Sequence, residues 1–86
     1  MNRDQIAAKL KSIIAPFVED REAIESLSEA SELVNHLHIN SLHLVDVVLD
    51  VESEFDIEIT PEEADKLRTI GSVLDLIEGK RRLAVA

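Results

Sequence analysis

The chain reads as an all-α protein, a small four-helix bundle of three longer helices and one short one with a long first loop. Three observations predict this. Its 86 residues contain only two glycines and two prolines, a poor supply of turn formers for a sheet protein. With no tryptophan or tyrosine and only Phe17 and Phe55 as aromatics, the core must be built from Ile, Leu, Val and Ala. The apolar residues recur at helical spacing in segments bounded by capping residues. Such a length makes one small domain with a modest core, expected over 1–79 and followed by a basic, flexible tail over 80–86.

The first helix is expected from about Arg3 to Ala15, with Ile6, Leu10, Ile13, Ile14 and Phe17 on one face. Pro16 should end or kink it, because a proline disfavours helical geometry in the residue before it, here Ala15. Residues 19–40 then form a long polar connection. Ile24, Leu27, Leu33, Val34, Leu37 and Ile39 recur in it too regularly for a free linker, so it should pack across the bundle and include a short helical turn. The next helix starts at Ser41, with Asn40 as N-cap, and runs to about Phe55. Leu44, Val47, Val48, Val51 and Phe55 make one apolar stripe, and Leu42, Val45 and Leu49 make a second, continued by Glu52 and flanked by Asp46. One stripe suffices for the core, so the second reads as an exposed apolar patch with an acidic rim, a pattern of partner surfaces. Thr60-Pro61-Glu62-Glu63 signals the short helix, with Thr60 as N-cap and Glu63 closing a capping box. Thr69 should cap a last helix from about Ile70 to Glu78, with Ile70, Val73, Leu74 and Ile77 inward and Gly79 as its stop.

Charge narrows the function. The net charge is -9, and of the residues from Glu19 to Asp65 fifteen are acidic and only Arg21 is basic. That field repels a phosphate backbone, and no aromatic platform exists for bases, so nucleic acid is excluded as a partner. Basic partner proteins are favoured instead. The absence of cysteine excludes thiolate catalysis and thiolate metal sites. No apolar run is long enough for membrane insertion or export, and a cytoplasmic protein is expected.

Catalytic readings fail on geometry. Ser41, His43 and Asp46 are close in sequence, but residues two apart on a helix do not face each other, and no glycine-flanked nucleophile turn is present. His36, His38 and His43 lack a recognisable set of supporting partners for a zinc site, and the stretch from Asp46 to Glu58 lacks the central glycine of a calcium loop. No catalytic residue and no metal ligand is therefore assigned. A serine hydroxyl at a helix start can instead be esterified by a phosphodiester, whose charge the helix dipole favours.

At this point the chain resembles the acyl carrier protein family. Asn40-Ser41-Leu42 stands where that family has its signature Asp-Ser-Leu, and Val45, Asp46, Val47, Val48, Glu52, Glu54, Phe55, Asp56, Glu58 and Ile59 look like the helix and exit that follow. Glu62, Glu63, Ala64, Leu67, Thr69, Ile70 and Ile77 resemble its last two helices, so the likeness spans about Leu33 to Ile77. The resemblance implies a carrier and not an enzyme. Ser41, flanked by Asn40 and Leu42, would hold 4'-phosphopantetheine, placed there from coenzyme A by a phosphopantetheinyl transferase. The arm's thiol would carry acyl groups as thioesters, the bundle core would shelter them, and the chain would be a monomeric phosphoprotein. Leu42, Val45 and Leu49, with Asp46, Asp50 and Glu52, would dock onto basic patches of the transferase and of the synthases and acyltransferases of fatty acid or specialised lipid biosynthesis.

The chain departs from the family in Asn40 for the signature aspartate, in His43 at a place that is often acidic, and in Asn35 to Ile39, where acidic residues and a glycine are usual. These imply a specialised member serving a restricted set of partners, an idea that fails if housekeeping enzymes use it as efficiently as a standard carrier. Two other readings stay open: an unmodified docking module of the same fold, and a carrier of polyketide or aminoacyl units.

Overall fold

The computed structural model describes residues 2–85, with side chains through residue 81. Helix α1 spans Arg3–Ile14 and starts from a capping box: Asn2 Oδ1 accepts from Gln5 N at 2.8 Å, and Gln5 Oε1 accepts from Asn2 N at 2.9 Å. Ile6, Leu10 and Ile14 are buried. Pro16 does not break the chain direction at once. Ala15 keeps helical angles (φ -52°, ψ -42°), and Ala15–Phe17 tighten into a 3-10 turn closed by Val18 N to Ala15 O at 3.2 Å. The shorter bonding pattern accommodates a residue that has no N–H to donate.

The long first connection holds a helix of its own. Helix α2, Arg21–Glu25, begins at Asp20, whose side chain accepts from Glu22 N at 3.0 Å. Beyond it Leu33, Leu37 and Ile39 are buried, so the connection packs across the bundle as its apolar spacing predicts. Val34 does not join them and stays 52% exposed. Backbone bonds fix this segment to the start of the last helix: Leu33 N to Arg68 O at 2.9 Å, Ile70 N to Ser31 O at 3.0 Å, and Gly71 N to Glu29 O at 2.8 Å. The last favours a glycine, because a Cβ at Gly71 would stand 3.1 Å from Glu29 O, tighter than an ordinary contact.

Helix α3 spans Ser41–Phe55 and ends at Asp56, which adopts the left-handed conformation (φ 53°). Helix α4 spans Pro61–Asp65, with the Thr60–Glu63 capping box formed in both directions. Helix α5 spans Ile70–Val85. Thr69 Oγ1 accepts from Ser72 N at 3.1 Å, which caps α5 as predicted. Helix α1 lies against both α3 and α5. The core joins Ile6, Leu10 and Ile14 to Val47, Val51 and Phe55 of α3 and to Ile70, Val73, Leu74 and Ile77 of α5. Among the described residues there is no strand, only a single bridge between Glu32 and Thr69, and no helix is long and apolar enough to cross a membrane.

The expected end of the last helix is corrected. Gly79 does not stop α5, which continues through residues 80–85. No glycine takes a positive φ, so Gly79 acts as an ordinary helical residue and not as a left-handed cap. Lys80 reaches back to Glu63 at 2.8 Å and fastens the first residue past the glycine to α4. Cationic residues near a helix C-terminus also suit its dipole. The tail is thus helical through Val85; Ala86 and the side chains from Arg82 onward lie outside the described residues.

Candidate functional site

Asn40 sets up the site. Its extended backbone (φ -74°, ψ 163°) turns the chain into α3, and its Oδ1 accepts from His43 N at 2.9 Å. Ser41 is then the first residue of a 15-residue helix and is exposed to solvent. Its hydroxyl stands at the positive pole of that helix, where a phosphate charge is favoured.

Ser41 also lines an apolar cleft of about 420 Å³ between α3 and α4. Leu44, Val48 and Glu52 of α3 form one wall, and Ile59, Pro61 and Ala64 the other. Behind it lies a void of about 30 Å³ that shares Leu44, Val48, Ile59 and Ala64 as walls and reaches Val47, Val51 and Val73 in the core. Ser41, the cleft and the core are therefore neighbours through shared aliphatic walls.

The outer face of α3 carries the second stripe. Leu42, Val45 and Leu49 are 78%, 57% and 56% exposed, with the exposed Asp46 and Asp50 beside them. Glu52 differs from these. It is half-buried, and its Oε2 accepts from Ile59 N at 2.9 Å.

The histidines turn elsewhere. His43 packs on Phe17 with ring centroids 5.3 Å apart, and with His38, Glu19 and Asp20 it lines a separate groove of about 330 Å³. Ser41 lines the α3–α4 cleft instead, so the two are not paired for catalysis. His36 Nδ1 accepts from Glu32 N at 2.8 Å. Among the described residues no three His, Asp or Glu side chains form a group fit for a metal ion.

Residues 8–77 match the family described as "Phosphopantetheine attachment site". The chain is also 38% identical over 78 residues to the acyl carrier protein of Coprothermobacter proteolyticus, covering 91% of this chain and 93% of that one. The chain belongs to the acyl carrier protein family. The carrier is similarly 37% identical over 82 residues to the acyl carrier protein of Thermosynechococcus vestitus, covering 93% of this chain and 96% of the relative. The crystal structure of the acyl carrier protein of Thermotoga maritima matches it with a TM-score of 0.81 at 26% identity, over 98% of this chain and 95% of that one. The family's prosthetic group is 4'-phosphopantetheine.

Sequence reasoning missed the cleft. The cleft lies between α3 and α4, where residues from separate segments meet. The available signal was Leu44 and Val48 at i, i+4, both only half-buried, opposite the small Ala64. Glu52 was read as a docking carboxylate only, because its bond to Ile59 N joins positions seven apart across a turn that no helical period describes.

Proposed function

We propose that this chain is an acyl carrier whose 4'-phosphopantetheine arm is attached to Ser41 and whose cargo shelters in the α3–α4 cleft. One observation carries the reading: an exposed serine at the first position of α3 opens directly onto an apolar cleft. When bound, the group supplies a terminal thiol that a cysteine-free chain lacks. The chain's own residues hold and orient it. Ser41 Oγ provides the ester link, and Asn40 shapes the helix start by capping His43 N. Leu44, Val48, Ile59 and Ala64 give the space beside it an aliphatic lining.

The magnitude favours sheltering. Each methylene taken out of water gains about 0.8 kcal/mol, so a chain of about six gains as much as the whole stability of a marginal small domain. Partner enzymes do the bond-making, and the carrier brings the substrate. Leu42, Val45 and Leu49 form the apolar centre of its docking face, and Asp46, Asp50 and Glu52 meet basic side chains of the phosphopantetheinyl transferase, synthases and acyltransferases of lipid synthesis.

Intact-protein mass spectrometry tests the attachment. The wild type and Ser41→Ala are incubated with coenzyme A, magnesium and a broad-specificity phosphopantetheinyl transferase. The wild type should gain the mass of a single phosphopantetheine, and the variant should gain none. A gain in Ser41→Ala would place the arm elsewhere. If neither protein gained it, and protein from the native cell also lacked it, the chain would be an unmodified docking module.

A further inference from the structure

Glu52 stands where the docking face, the cleft and the turn after α3 meet. Its backbone carbonyl accepts from Asp56 N and from Ile57 N, the latter at 3.1 Å. Its side-chain Oε2 accepts from Ile59 N at 2.9 Å. A single residue thus supplies acceptors to three N–H groups of the segment that leads into α4. Ile59 is only 8% exposed and walls both the cleft and the void behind it.

A buried backbone N–H must keep a partner. If the Glu52 carboxylate left, water would have to replace it. A lift of the 56–60 segment from α3 would bring water to Ile59 N and would also widen the cleft, one wall of which Ile59 forms. Glu52 lies three residues beyond Leu49 and so projects from the same side of α3, within reach of whatever docks there. An arginine engages a carboxylate through both oxygens and competes directly with a single amide bond.

We propose that Glu52 is a charge-operated latch. In the free carrier its carboxylate holds the Ile59 wall of the cleft in place, and a cationic side chain of a docking enzyme widens the cleft by drawing that carboxylate away. The latch takes its purpose from the carrier reading above, but its test does not depend on that reading. A glutamine at this position would hold the turn equally through its amide oxygen, yet would not respond to a cation. The charge, beyond the hydrogen bond, is therefore the working part, and Glu52 is a positioning residue for cargo release.

Amide hydrogen exchange by NMR on the unmodified chain tests it, at low ionic strength, with and without saturating hexa-arginine. Glu52→Ala should speed Ile59 exchange by about tenfold or more, while Val51, in the core of α3, keeps the wild-type rate. Hexa-arginine should speed Ile59 exchange several-fold in the wild type and in Asp50→Asn, which loses an equal charge nearby, and leave Glu52→Gln unchanged. An Ile59 rate in Glu52→Ala within about twofold of wild type would overturn the latch, as would an equal hexa-arginine response in Glu52→Gln. Should Glu52→Ala loosen the whole fold, Val51 would accelerate too, and the folded Glu52→Gln then decides: a lost response supports the latch and a retained one refutes it. Failure of Ser41 to accept the arm would sink the carrier reading and leave these rates untouched.

Discussion

His38 pays a conformational cost that its neighbours do not. Its φ is 56°, in the left-handed region that disfavours a Cβ-bearing residue, and its side chain is exposed. The strain persists because both neighbours are fixed in the core: Leu37 is 2% exposed and Ile39 0%. The turn at His38 lets the chain bury both and still present Asn40 as the cap of α3. Replacing His38 by glycine should therefore stabilise the fold, by about 0.5–1 kcal/mol once the greater freedom of glycine in the unfolded chain is set against the relieved strain. Urea denaturation measures this, and an unchanged or lower midpoint would show that the imidazole makes a contact worth more than the strain. Asp56 is the other left-handed residue (φ 53°), but it ends a helix, where a short polar side chain is tolerated.

Among the elements, α5 best shows how position decides the effect of a glycine. Gly71 and Gly79 both lie inside it. A Cβ on Gly71 would meet Glu29 O at 3.1 Å, whereas a Cβ on Gly79 would meet nothing within 4 Å outside its own stretch of helix. Gly79→Ala should thus stabilise by up to about 1 kcal/mol, the helix-propensity difference, and Gly71→Ala should destabilise. Thermal melts of the two variants check the pair, and a lower melting temperature for Gly79→Ala would mean that α5 does end near that residue. The same helix marks where sequence legibility stopped. Caps were legible because each is local chemistry: Asn40, Thr60 and Thr69 all accept from the backbone as their side chains predict. The core faces of α1, α3 and α5 were legible from period alone. The Gly79 stop was misread because the residues holding α5 beyond it, Lys80 and Glu63, are far apart in sequence. For the same reason the α3–α4 cleft and the bond from Glu52 to Ile59 escaped notice: both arise where separate segments meet. Ser41 and the exposed stripe of α3, by contrast, could be located from the sequence, because a helix start and a second apolar period are properties of one segment.

Over the whole molecule, a net charge of -9 works against compaction, and among the described residues Arg3 offsets part of it by pairing with three carboxylates. Its guanidinium pairs with Glu29 at 2.6 Å, with Asp75 at 3.0 Å and with Glu78, so one side chain joins α1, the first connection and α5. Isolated surface pairs contribute little, but a planar donor shared among three carboxylates is a network. The hydrogen bond from Arg3 holds the Glu29 carboxyl below its ordinary value, and the bond from Lys80, with that from the Thr60 backbone, does the same for Glu63. A carboxyl lowered on folding stabilises the native state above its unfolded pKa, and that contribution is lost as pH falls through the depressed native value. Arg3→Met should accordingly lower the melting temperature at pH 7, and the gap to wild type should close as pH falls below the ordinary carboxylate value of 4.5. A gap constant with pH would show that Arg3 contributes by packing its stem and not by charge.

The Arg3 junction has a practical consequence for anyone who wishes to immobilise or label this protein. Asn2 and Arg3 are both engaged, the first in a capping box and the second in three ion pairs, so a fusion placed directly ahead of them abuts the chain's principal clamp. The other terminus is more forgiving. Between Ile77, the last core residue of α5 among the described side chains, and Val85 the helix advances about 12 Å at 1.5 Å per residue, so a linker there begins that far along the axis from Ile77. Surface-capture measurements on this chain are best made through a handle at the C-terminal end, which leaves both the clamp and the Ser41 pole in their native surroundings.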